Sequence, residues 1–515
     1  MKLNDGILTS FDALRGKEYT VPEYDVRTMR ALTRERPQWA HFGPGNIFRA
    51  HVARAHQELL NAGLSETGIV AFAGRGSETP GSAYAPFDNL SLCVLLKADG
   101  TMDKHLVASV AEAHALEGAG LSRAIEVFEA ASLQIATFTI TEKGYARMSY
   151  ERDLRKPLAE AESLMGQVAY LLSRRMAACV GPVSLVSMDN CSQNGDKLKA
   201  AILELAADDP ALVNYIENEV AFPWTMIDKI TPRPDARVLA VLEADGFEGI
   251  APVVTPRGTH VAPFVNAEEK EYLVIEEAFP AGRPPLERAG MYFAARETVS
   301  KVERMKVTVC LNPLHTALAV FGCLLGYDAI WKETEDAELS RLIRVIGYGE
   351  GLPVSPDPGI ISPKSFLDEV VNDRFPNPFL PDTPQRIATD TSQKVAIRFG
   401  ETIKAHAARG DAGRLVGIPL ALAGWLRYLD ATDDAGNCMK LSDDPRLHEL
   451  TSRTAADILR DASVFGVDLY DAGLAEKVLG YLGRMREGKG AVRRTLKVAL
   501  QMSGENGHDA GSGAS

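Results

Sequence analysis

The 515-residue chain has no uninterrupted apolar run near the ~20 residues that span a bilayer. Its first stretch, MKLNDGILTSFDAL, lacks the basic and apolar segments of a secretory leader. Neither membrane insertion nor export is expected, and a cytoplasmic protein is. Cysteine is sparse: Cys93, Cys179, Cys191, Cys310, Cys323 and Cys438 lie far apart with no CxxC spacing, so they read as buried thiols. The ten histidines are equally scattered, and His51 and His56, five apart, do not stack on one helix face as a metal pair requires. No metal is expected. Positive charge is also short, with 56 Lys and Arg against 69 Asp and Glu and a net charge of -13. That balance argues against a nucleic-acid partner, yet a local cluster of Arg and Lys would suffice for a small anionic substrate. The length exceeds one hydrophobic core, so two or three domains are expected, and there is no internal repeat.

Against this ordinary background residues 301–327 (KVERMKVTVCLNPLHTALAVFGCLLGY) place Lys306, Asn312 and His315 in an otherwise apolar segment. Leu314, Ala317, Leu318, Phe321, Leu324 and Leu325 have helical spacing, which predicts a helix over at least 313–325 with a buried face. A lysine among Met305, Val307, Val309 and Leu311 is partly desolvated, which disfavours its charged form and suits it to general acid/base work. Asn312 can donate to a developing oxyanion and His315 can exchange a hydrogen bond with a hydroxyl. The same residues also fit a snorkelling lysine and an Asn-Pro helix start.

Residues 38–42 (QWAHF) read as a strand running into GPGN at 43–46 and a helix over 47–60, with the next buried strand at 68–73. In that βαβ unit Gly43 and Gly45 suit a backbone that must approach a pyrophosphate. Phe48 stands where a third glycine would complete the fingerprint, and Gly74-Arg75-Gly76 replaces the usual acid after the second strand. Further strands are expected at 91–96, 106–110, 134–140 and 183–188, alternating with helices near 122–131, 158–178 and 195–205, the mark of a doubly wound sheet. Two strand ends carry polar residues, TITEKGY at 139–145 and SMDN at 187–190, where Asp189 and Asn190 face a crevice or cap the next helix. Beyond about residue 297 helical periodicity dominates. The expected division is a doubly wound domain at 1–296, a helical domain at 297–502 and a disordered tail at 503–515. A polar, proline-rich island precedes a helix through residue 403 and carries Arg386 and Lys394, natural binders of oxygen-rich groups.

Taken in order, FGPGNIFRAH (42–51), APFDNL (85–90), TITEKGY, SMDN, FPWTMIDKITP (222–232), EEAFPAGRP, KVERMK with LNPLHTALA, and DTPQRIATDTSQK (382–394) resemble the polyol-specific long-chain dehydrogenase/reductase family, which includes mannitol 2-dehydrogenase and fructuronate reductase. The resemblance implies a zinc-independent oxidoreductase with an N-terminal Rossmann-type α/β domain and a mostly α-helical C-terminal domain. It implies NAD as cofactor, with NADP possible because of Arg75. By resemblance, Lys306 is the acid/base, Glu303 part of its proton path, Asn190 and Asn312 the carbonyl-polarising pair, and His315 a substrate ligand. Substrate contacts fall on Ile227, Asp228, Arg386 and Lys394, and nucleotide contacts on Gly43, Gly45, Asn46, Phe48, Arg75, Asp88, Thr141, Glu142 and Lys143. The family spacing puts four residues between lysine and asparagine, whereas five stand here, and Pro313-Leu314 replaces a Gly-Ser pair. An added residue turns Lys306 by about 100° on a regular helix, so a π-bulge with the Pro313 kink must restore the geometry or the lysine assignment fails. LNPLHT favours D-fructuronate reduction to D-mannonate. Mannitol or arabinitol 2-dehydrogenase, tagaturonate reductase and a catalytically inactive nucleotide-binding protein are the alternatives. The expected partner is a small sugar acid or polyol, in a monomer or small homo-oligomer.

Overall fold

In the computed structural model, which describes residues 1–256 and 258–505, the chain forms two units, Met1–Ser300 and Lys301–Ser515. The first is built on six parallel strands: β1 Trp39–Phe42, β2 Ile69–Ala73, β3 Val110–Ala115, β4 Ile135–Phe138, β5 Val183–Ser187 and β6 Val220–Ala221. Their order across the sheet is β3-β2-β1-β4-β5-β6, the arrangement of a dinucleotide-binding sheet, which switches direction between β1 and β4. Side chains alternate between two cores. Ala40, Phe42, Val70, Phe72, Ala136, Phe138, Val183 and Leu185 fill one face, beneath helices Gly118–Glu129, Leu164–Ala178, Asn194–Leu205 and Pro210–Glu219. Trp39, Ile69, Ala71, Ile135 and Val186 fill the other with Phe48, Ala55 and Leu59 of the helix after β1. Burial on both faces is why these strands read as continuous apolar runs.

The strand expected at 91–96 does not join this sheet. Ser91–Leu96 pairs antiparallel with Met102–Val107 and parallel with Phe264–Glu268, in a separate four-stranded sheet whose edge is Tyr19–Thr20. The run expected at 106–110 straddles two strands of different sheets, because Ala108 and Ser109 turn the chain between Met102–Val107 and β3. Past β6, β7 (Thr225–Asp228) pairs antiparallel with Tyr272–Glu276.

The second unit is helical. Gly417–Tyr428 is buried along its whole length and packs on Asn312–Leu325, where a Cβ at Gly424 would come within 2.7 Å of Phe321. Its N-terminus is held by the buried Glu350 carboxylate, which accepts from the N–H groups of Val416 (2.5 Å), Gly417 (2.7 Å) and Ile418 (2.8 Å). The final helix runs to Glu505, into the stretch read as a tail; residues 506–515 lie outside those described. The stretch Arg296–Leu325 is long and apolar enough to cross a membrane by composition, but 83% of its most apolar window is buried in the fold. Of the six thiols, Cys93, Cys310 and Cys323 are buried, whereas Cys179 and Cys438 are exposed. Cys179 is exposed because it ends helix Leu164–Ala178 in the left-handed conformation, at φ 53°.

Candidate functional site

The carboxyl ends of β1, β4 and β5 open on a cleft of about 300 Å³ lined by Gly45, Asn46, Thr79, Thr139, Thr141 and Asp189, among others. Gly43 turns the chain out of β1 at φ +88°, and a Cβ there would lie 2.3 Å from the Thr139 carbonyl. Only glycine fits that position. Gly45 differs: a Cβ there meets nothing nearer than the Gly43 carbonyl at 3.9 Å and would project into the cleft. Asn46 accepts from Arg49 Nη2 at 2.9 Å, and Arg49 is itself anchored to the Ala262 carbonyl at 2.6 Å. The Phe48 side chain is fully buried and stacks on His41 at 3.8 Å, so only its backbone can serve a ligand. The turn, the backbone at Gly45 and the helix start together fit a nucleotide's phosphates.

Across the cleft, Thr139 Oγ1 donates to the Gly43 carbonyl at 2.8 Å. Asp189 accepts from Ile140 N (2.9 Å), Thr141 N (2.8 Å) and Tyr145 Oη (2.5 Å), locking the residues after β4. Burial pushes its carboxyl up despite those bonds. Asp189 is thus a brace between β4 and β5 and not a helix cap; Asn194, not Asp189, ties the next helix in, donating to the carbonyls of Asp189 and Thr225. Asn190 is exposed at the end of β5. Thr141 adopts φ 70°, Glu142 pairs with Lys197 at 2.5 Å, and Lys143 is exposed. Arg75 follows β2 and pairs with Glu162 at 3.5 Å. Asp88 accepts from Asp5 N at 2.9 Å and does not line the cleft. Ile227 and Asp228 lie on β7, both buried.

In the second unit a π turn lies between Lys306 and Asn312. Residues Lys306–Cys310 are wound so that Leu311 N–H bonds the Lys306 carbonyl at 3.1 Å, five residues back, before the helix Asn312–Leu325 begins. Lys306 is 4% exposed, and Glu303, one turn earlier, is half-buried. Asn312 is not a helix cap: the cap position is Leu311, without a side-chain bond, and the Asn312 amide has no hydrogen-bond partner among the described residues. His315 is largely buried, 3.5 Å from Asp382 and 5.2 Å, centre to centre, from Phe375. Burial, then Arg398, Arg386, Arg374 and Lys394, push its pKa down to about 3, so the ring is neutral. All four cations act electrostatically on this one histidine. Arg386 forms an ion pair with Asp382, and Lys394 donates to the Thr389 carbonyl at 2.5 Å. Sequence reasoning missed Arg398 and Arg374; the Lys394-x-x-x-Arg398 spacing, one helical turn, was the available signal for the first. Among the described residues no group of three or more His, Cys, Asp or Glu could hold a metal ion.

Comparisons agree with both units. The mannitol dehydrogenase Rossmann domain matches residues 37–288 and the mannitol dehydrogenase C-terminal domain matches residues 298–484. D-mannonate oxidoreductase of Thermotoga maritima is 46% identical over 93% of this chain and 95% of its own. The enzyme of that name from Escherichia coli is 29% identical over 80% and 86%. Two solved structures, each 24% identical and covering 97% of this chain and 100% of their own, share the fold: a substrate-free D-sorbitol dehydrogenase (TM-score 0.82) and Pseudomonas fluorescens mannitol 2-dehydrogenase with NAD and D-mannitol (TM-score 0.73). Matched in both units and nearly end to end, the chain belongs to the mannitol dehydrogenase family, a family of oxidoreductases acting on CH–OH groups.

Proposed function

We propose that this protein interconverts D-fructuronate and D-mannonate with NAD as its redox partner. The observation that carries the reading is the basic residues beside the His315 helix, with the Arg398 guanidinium on Thr316 and Arg386 on Asp382, itself 3.5 Å from His315, an arrangement that suits a sugar acid better than a neutral polyol. The 46% identity to a D-mannonate oxidoreductase supports the same substrate class. The cleft at β1, β4 and β5 fits a dinucleotide, with Gly43, Gly45, Asn46 and the Phe48 backbone toward its phosphates. Arg75, Thr141, Glu142 and Lys143 are assigned to it by family resemblance, Asp88 is left out because it lies off the cleft on Asp5 N–H, and Arg75 keeps a 2′-phosphate acceptable. Bound NADH supplies the hydride that the ketone carbon accepts.

The chain's own residues handle the oxygen. Lys306 delivers a proton to the carbonyl oxygen as the C–H bond forms, and Glu303, half-buried one turn earlier, passes a proton from solvent. Asn312 donates a hydrogen bond to that oxygen as charge develops on it, and Asn190 is assigned a carbonyl-polarising role by family resemblance. His315, neutral, exchanges a hydrogen bond with a substrate hydroxyl. Ile227, Asp228, Arg386 and Lys394 hold the remaining chain. The test is oxidation of NADH and NADPH with D-fructuronate, D-tagaturonate and D-fructose in parallel, by the parent and by Lys306→Ala. Fructuronate preference with a Lys306→Ala loss on the order of 10²–10³ in kcat supports the reading. Fructose preference would move the protein to the mannitol branch, and near-normal turnover of Lys306→Ala across pH would end the lysine assignment.

A further inference from the structure

The cations around His315 are not equivalent. Arg386 is neutralised by Asp382 in an ion pair, and Lys394 is bound to a backbone carbonyl with Asp390 and Asp444 acting on it electrostatically. Arg398 is different. It sits one turn beyond Lys394, its N–H bonded to the Lys394 carbonyl at 3.0 Å, in the π turn Ala396–Gly400. Its guanidinium donates to a neutral hydroxyl, Thr316 Oγ1, and no carboxylate lies within ion-pair distance of it among the described residues. Burial draws its pKa down to about 10. Thr316 follows His315 and lies one turn after Asn312 in the same helix, which holds the guanidinium beside the residues assigned to substrate. The His315 Nε2 atom is buried and without a hydrogen-bond partner. A half-buried cation lacking a counter-ion is a ready partner for an anion.

We propose that Arg398 is the specificity-determining residue for the acid end of the substrate, its guanidinium fork receiving the carboxylate of a sugar acid while Arg386 remains committed to Asp382. The inference rests on the sugar-acid reading above and sharpens it, since that reading by itself would put the carboxylate on Arg386 or Lys394.

The test uses the full chain and the variants Arg398→Gln and Arg398→Lys, with D-fructuronate and NADH. In Arg398→Gln the KM for D-fructuronate should rise roughly 10- to 100-fold with kcat within a few-fold of the parent. NADH affinity and Tm should match the parent, which separates lost recognition from lost folding. Arg398→Lys, keeping charge but losing the fork, should recover part of the KM. A KM within threefold of the parent in Arg398→Gln, or a fall in kcat at unchanged KM, would overturn the assignment while leaving the sugar-acid reading intact. A parent that reduces D-fructose and ignores D-fructuronate would overturn both.

Discussion

Two glycines separated by one residue should fail in opposite ways. Replacing Gly43 by alanine puts an L side chain at φ +88°, which costs about 1–2 kcal/mol by itself. It also places a Cβ 2.3 Å from the Thr139 carbonyl oxygen and 2.9 Å from Ile140 Cγ2, so the strands must part by about 1 Å to reach ordinary contact. The β4 end cannot drift freely, because Thr139 N–H bonds the Phe42 carbonyl at 3.0 Å and Asp189 holds the next two N–H groups. Breaking even one of these buried bonds adds roughly 1–3 kcal/mol, so the total reaches about 3 kcal/mol. Gly43→Ala should therefore melt several degrees lower, its primary loss being stability. Gly45→Ala should melt like the parent, since its Cβ has room, yet bind NADH about tenfold more weakly, about 1.4 kcal/mol, because Gly45 lines the cleft and its backbone can no longer be approached as closely. Thermal melts and NADH fluorescence titrations of both variants decide the matter. Parent-like NADH affinity in Gly45→Ala would refute the cleft as the nucleotide site, and a parent-like melt in Gly43→Ala would refute the clamp.

Glu350→Ala strips the acceptor from three N–H groups at the start of Gly417–Tyr428 and should destabilise the second unit by on the order of 3 kcal/mol. Glu350→Gln, which keeps an acceptor, should cost visibly less in the same calorimetric scan. Because the folded pKa of His315 lies near 3, below its ordinary 6.5, its contribution to stability is present above pH 6.5 and is lost as pH falls towards 3. In ¹³C-histidine spectra its resonance, identified by its absence in His315→Asn, should not titrate between pH 5 and 8.

Much of this was legible because local chemistry and tertiary role coincide. The GPGN turn, the helix over Asn312–Leu325 and the strand Val183–Ser187 each carry their own spacing or turn signal, and the structure places them within a residue or two of those signals. Sheet membership does not work that way. Ser91–Leu96 and Ile69–Ala73 are both apolar and both buried, and nothing within either run says that the first pairs with Phe264–Glu268 and the second with Trp39–Phe42. The site shows the same limit. Arg386 and Arg398 are alike as letters, and what separates them is Asp382, four residues before Arg386 and ion-paired with it. Asp189 likewise looked like a cap until its two oxygens were found on Ile140 and Thr141.

The π turn at Lys306–Cys310 acts as a phase shifter between two rotors. On the upstream side Val302 and Met305 set how the segment carrying Glu303 and Lys306 is rotated; on the downstream side Leu314, Ala317, Leu318 and Phe321 set it for Asn312 and His315. The π turn between them is the joint at which the two angles can differ. A lineage could therefore gain or lose a residue there in a single codon event and re-aim one set of polar side chains by about 100° without moving either helix axis. In an alignment the event looks like a trivial gap, yet it resets which groups face each other.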